Sequence, residues 1–221
     1  PTYGKGTVQR FFDLDRFVNT NDIKPLGQTK ITIQKFFHIN GGSTQLKGVT
    51  PDIILPDTYM EIPTGEKDNE HPMAWTQISP VKYSQQVVDM KKLPEIVALS
   101  KKRTEKSEAF RLIVEKAKQN KQQRDESIVN LNLAKYRESE KRTSELGKKF
   151  ENMYKPIDGF TAENLPEDLK ALNATQDSAK IIRNTEWLKG VKKDVHLYET
   201  LQIIRDLIQN ATFKTAAVDK K

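Results

Sequence analysis

A lysine held between two glycines, Gly4-Lys5-Gly6, opens the chain, and Thr7-Val8-Gln9 follows it. Such a lysine can hold a phosphate, act in a reaction, or sit exposed on a glycine turn. The phosphate reading has strict requirements. A P-loop needs a glycine six residues before the lysine, a Ser or Thr directly after it, and then a helix. Here Gly6 stands where Ser or Thr is required, and the residues that follow read as β. Standing alone, the motif would be a turn with an exposed lysine.

Other reactive residue types give weaker signals. His38, His71 and His196 are far apart, and none sits in a metal-ligand spacing such as His-Glu-x-x-His. Structural roles are expected for all three. There is no Gly-x-Ser-x-Gly. Asp13 and Asp15 flank Leu14 and would point the same way on a strand, a pair that could do acid/base work. A solvated strand face is the simpler reading. Without cysteine, a disulfide framework and a thiolate metal site are both excluded. No metal and no cofactor are expected.

These residues have to be positioned by the elements around them. Residues 1–56 read as β. In "KITIQKFFHIN", Ile31, Ile33, Phe37 and Ile39 fall on one side at period two, with Thr32, Gln34 and His38 on the other. Asn40-Gly41-Gly42-Ser43 is turn chemistry. "TQLKGVTPDIILP" is expected to resume extended, with "DIIL" a short strand closed by Pro56. Residues 57–92 read as a polar connector, rich in charge around "PTGEKDNEHP". Trp75, Ile78, Val81 and Tyr83 are expected to pin its later part.

Residues 93–221 read as a mainly helical domain. Thr104 and Ser107 are candidate caps for a helix bearing Phe110, Ile113, Val114 and Ala117. Val129, Leu131 and Leu133 alternate with Asn130 and Asn132, which predicts a strand between helices. Leu146, Phe150 and Met153 share a face of the next helix. Asp194 can cap the last helix, whose stripe includes Val195, Tyr198, Leu201, Ile204 and Ile208. That stripe is expected to pack on the helix around Phe110 and Ile113. The tail "KTAAVDKK" is expected to fray. The fold class is therefore α+β.

Net charge is +7, and residues 91–155 carry 18 Lys/Arg against 10 Asp/Glu. Acidic residues are interspersed, and few aromatics stand among the lysines to stack bases. A solvated helical face is expected and nucleic acid is not. No run of about 18 apolar residues that could span a membrane exists.

Gly4-Lys5-Gly6-Thr7-Val8-Gln9, a strand ending in Asn40-Gly41-Gly42-Ser43, and then Lys47-Gly48-Val49-Thr50-Pro51-Asp52-Ile53 together resemble the carboxy-terminal processing proteases. The likeness is closest to their long tail-specific branch. "SIVNLNLAKYRESE" and "DVHLYETLQIIRDL" look like parts of the helical C-terminal domain of that branch. The resemblance implies that Lys5 is the general base of a serine/lysine peptidase and that Gln9 lies beside it and orients it. Residues 1–56 would be the last strands of the peptidase core. The nucleophilic serine, the oxyanion-hole donors and a PDZ domain would all lie before Lys5, upstream of Pro1.

The chemistry is sound. An ordinary lysine is a cation with a pKa of about 10.4. Burial can lower that by about 3–5 units. The free amine can then take a proton from a serine hydroxyl. On a strand, residues i and i+4 share a face, so Gln9 would sit on Lys5's side. The resemblance further implies a periplasmic endopeptidase that recognises the carboxy-terminal ends of protein or peptide substrates. Its partners would be those substrates, the N-terminal part of the same protein, and an adaptor protein or further copies of itself. The 221-residue chain alone is expected to be inactive, with Lys5 unburied. The competing reading is a non-catalytic helical module that contacts substrate or adaptor proteins.

Overall fold

The computed structural model describes residues 1–83 and 91–210. The described chain is α+β, with a small sheet followed by a mainly helical region. It divides into two compact units. The first holds Pro1–Asp52 and the described residues from Pro63 to 83. The second holds Ile53–Ile62 and 91–210. The segment read as a connector is thus shared between them.

In the first unit, β1 (Thr7–Asp13) pairs antiparallel with β2 (Gln28–Lys35). Thr, Val, Phe and Ile supply the β-branched and aromatic content that suits a pleated ribbon. Val8 faces Gln34 and Gln9 faces Thr32, so β2 carries one extra residue at a bulge. β2 ends at Lys35, short of the run to Ile39 that alternation predicts. Beyond it only Phe37 bridges, to Ser43. The stretch 44–56 was expected to be extended. Instead Gln45–Lys47 form a turn, and no strand forms at 53–55. Leu46 adopts φ 65°, a left-handed conformation rare for a bulky residue. Asp13 and Asp15 do not share a strand face either. Asp13 accepts from the Asp15 amide at 3.0 Å, and Asp15 accepts from the Leu26 amide at 2.7 Å. Both carboxylates cap a turn.

Residues 63–83 belong with this hairpin. The Glu66 amide donates to the Tyr3 carbonyl at 2.8 Å, and Ile78 and Val81 donate to the Gly41 and Ile39 carbonyls at 2.9 and 2.8 Å. The Trp75 indole donates to the Ser43 carbonyl at 2.8 Å and lies under the Lys47 ammonium, 3.7 Å from the ring centre. Trp75 thus pins the segment by its side chain and Ile78 and Val81 by their backbone amides, while Tyr83 is exposed.

The second unit has six helices among the described residues: α1 (Leu93–Lys106), α2 (Glu108–Asp125), α3 (Leu133–Phe150), α4 (Pro166–Ala174), α5 (Ser178–Val191) and α6 (Val195–Asn210). Ser107 caps α2 by accepting from the Phe110 amide at 3.4 Å. The Asn132 side chain caps α3, and Asp194 accepts from the Leu197 amide at 2.9 Å in α6. The core gathers Phe110, Leu112 and Ile113 of α2 with Phe150 and Met153, and Leu55, Leu146 and Val195 pack against it. Lys149 of α3 pairs with Glu115 of α2.

Two expectations fail here. Residues 126–132 form no strand and run unassigned between α2 and α3. Alternation supplies a pattern, but a strand also requires a partner, and none is present among the described residues. In α6, Leu201 and Ile204 are each 44% exposed. The stripe meets the Phe110 cluster at its start, through Val195, but beyond it the helix buries Glu199, Ile203 and Asp206 and packs on α1. The reason is Arg103. Its Nη1 meets Asp206 at 2.6 Å, its Nη2 meets Glu199 at 2.8 Å, and its Nε also donates to Glu199 at 3.0 Å. Its hydrogen bonds to Glu199, against the opposing effect of burial, make the guanidinium harder still to deprotonate. The tail from 211 lies outside the described residues, as does 84–90.

Candidate active site

Lys5 leaves the fold just before β1. Its amine donates to Gln9 Oε1 at 2.8 Å. The spacing of four along an extended backbone puts both side chains on one face. Gln9 is itself half-buried and reaches Thr32 Oγ1 on β2 at 3.4 Å. The bulge beside Gln9 sets which β2 residue stands opposite it.

The backbone around Lys5 is gripped on several sides. Gly4 accepts from the Leu46 amide at 2.7 Å, and the Lys5 carbonyl accepts from Thr44 Oγ1 at 3.2 Å. The Gly6 carbonyl accepts from the Phe36 amide at 3.2 Å. The Gly6 amide donates to Gln45 Oε1 at 2.9 Å. A Cβ at Gly6 would lie 2.5 Å from the Gln45 nitrogen and 2.6 Å from Ser43 Oγ. Gly4 sits at φ +87°, where a side chain would be strained. Both glycines are therefore required by the geometry, one for close approach and one for conformation.

Gln45 is the centre of this grip, and sequence reasoning missed it. It is fully buried, and its Nε2 donates to the Met73 carbonyl at 2.9 Å and to Glu66 Oε1 at 3.3 Å. One amide thus ties the Lys5 loop, its own turn and the 66–73 segment together. A single glutamine in a polar, glycine-rich stretch carries no sequence signal of burial.

The Lys5 side chain itself is exposed. Its amine has a fixed neutral acceptor and an otherwise open approach. The remaining reactive residues lie elsewhere. His38 is exposed, and His71 stands beside Glu70 in solvent. His196 Nε2 lies 2.7 Å from the Pro56 carbonyl and its ring stands edge-on to Phe110, centroids 5.3 Å apart. That is a packing role in the helical core.

The family evidence covers the helical region and the later part of the hairpin unit. Residues 59–209 match the family described as the C-terminal domain of tail specific protease (DUF3340). The chain belongs to the tail-specific protease family. The tail-specific protease of Haemophilus influenzae is 34% identical over 184 residues, covering 77% of this chain and 25% of that protein. The chain therefore matches about a quarter of the length of this tail-specific protease relative. Lys5 and Gln9 lie ahead of the stretch that the family description covers.

Proposed function

We propose that the parent protein is a serine/lysine endopeptidase and that Lys5 is its general base. The observation that carries this reading is the Lys5–Gln9 hydrogen bond at 2.8 Å, set on a loop clamped by Gln45. The nucleophilic serine comes from another part of the protein. Once that part covers Lys5, the ammonium is disfavoured and the free amine accepts the serine proton. The serine oxygen then attacks the scissile carbonyl. The tetrahedral intermediate collapses, the amine product leaves with the proton from Lys5, and an acyl-enzyme remains. Water, deprotonated by Lys5, hydrolyses it. Gln9 holds the amine throughout without adding charge. A PDZ domain elsewhere in the parent selects substrates by their carboxy-terminal ends, and the enzyme works in the periplasm. The 221-residue chain alone, lacking the serine, is inactive.

Peptide hydrolysis by the parent protein tests this. Lys5→Ala and Lys5→Arg should both abolish turnover without lowering the melting temperature. A guanidinium stays charged and cannot serve as base. Near-normal turnover in Lys5→Arg would return Lys5 to the role of an exposed turn residue.

A further inference from the structure

Residues 127–131, between α2 and α3, combine three features. The first is exposure of apolar side chains: Ile128 is 84% exposed, Val129 70% and Leu131 94%, with Leu133 at 62% just beyond. The second is an unspent backbone. None of these five residues makes a backbone–backbone hydrogen bond, and within the segment only the Asn130 side chain is engaged, accepting from the Asn132 amide at 3.0 Å. The third is the absence of charge from Ser127 to Ala134. Proteins ordinarily guard a free edge with lysine, proline or a bulge. An uncharged, β-prone run left open is an aggregation hazard.

The flanking residues Glu126 and Asn132 already have extended dihedrals, with ψ of 99° and 120°. Continued at period two, Val129, Leu131 and Leu133 face one way, and Ile128, Asn130 and Asn132 the other. Such a segment is completed by a strand, because a strand alone matches both its amides and its alternating side chains. A groove would leave the amides unpaired.

We infer that residues 127–131 are a β-strand that pairs with an extended segment from the rest of the parent polypeptide, outside the 221 residues. The tail-specific protease of Haemophilus influenzae has about four times the matched length. That supplies ample chain for the pairing, and a permanent intramolecular partner explains why no guarding charge is present. The inference is independent of Lys5's role, because it concerns another element and a different readout.

Hydrogen exchange on the full-length parent tests it. Amides of 127–131 should exchange at least about tenfold more slowly than in an unpaired loop. Asn130→Pro removes one amide, and it should release its neighbours while the amides of α1 and α6 stay protected. A photo-crosslinker replacing Val129 should join to a peptide upstream of Pro1 in the same chain. Fast exchange of 127–131 in the intact parent overturns the inference. So does protection that appears only at high protein concentration, or crosslinking to a second copy, to an added substrate peptide or to lipid.

Discussion

Gly6 leaves the Lys5 loop its least room. Adding one methyl there puts carbon 2.5 Å from the Gln45 nitrogen, and a backbone atom cannot swing aside as a side chain tip can. Gly6→Ala should therefore cost about 1–3 kcal/mol, as overpacking does. Urea unfolding followed by Trp75 fluorescence would read the loss, and turnover of the parent should fall with it. Gln45→Ala should cost about 1–3 kcal/mol as well, because it leaves the Gly6 amide and the Met73 carbonyl without partners. An unchanged urea midpoint in either variant would show that the grip contributes nothing. The Lys5–Gln9 pair was legible in the sequence, because a spacing of four on a strand is a local rule. Gln45 was not. Its partners lie 39, 28 and 21 residues away, and distance along the chain hides them.

Among the elements, α6 teaches most. Its apolar stripe was read correctly as a stripe and wrongly as the buried face. Two carboxylates on a helix normally mark the solvent side. Here they face inward because Arg103, 96 and 103 residues upstream, meets both. Periodicity within a helix cannot report a counter-charge on another helix. Leu201→Ala should accordingly change stability by less than about 1 kcal/mol, whereas Ile203→Ala should cost about 2–5 kcal/mol. Thermal melts of the two variants would test the orientation, and reversed magnitudes would refute it. Arg103→Ala should cost about 3–5 kcal/mol, since it strands two buried charges. The missing strand at 126–132 has a related cause: alternation was legible, but a strand also needs a partner, which alternation cannot report.

At the scale of the whole molecule, the two units differ in what they bury. Every fully buried apolar side chain among the described residues lies in the helical unit. The hairpin unit buries Ser43, Thr44 and Gln45, while Phe11, Ile31 and Ile33 remain exposed on its strands. Apolar burial is the main driving force for folding, so the hairpin unit should be the weaker of the two. The exposed Trp187 and the half-buried Trp75 place one reporter in each. Urea titration of single-tryptophan variants should show Trp75 losing its signal at a lower midpoint than Trp187. Coincident transitions would mean that the units unfold as one.

The reach of Arg103 also has a consequence in time. A ribosome adds about 5–20 residues each second. The roughly 100 residues between α1 and its carboxylate partners then represent on the order of 5–20 s of synthesis. Throughout that interval the nascent α1 carries a cation whose matching anions have not been made. Ile96 and Ser100, covered in the finished fold, wait beside it. The cluster of Phe110, Phe150 and Met153 can form earlier, but the buried face of α1 cannot close until α6 clears the exit tunnel, and until then a chaperone that shields apolar, basic segments has a defined stretch of nascent chain to hold.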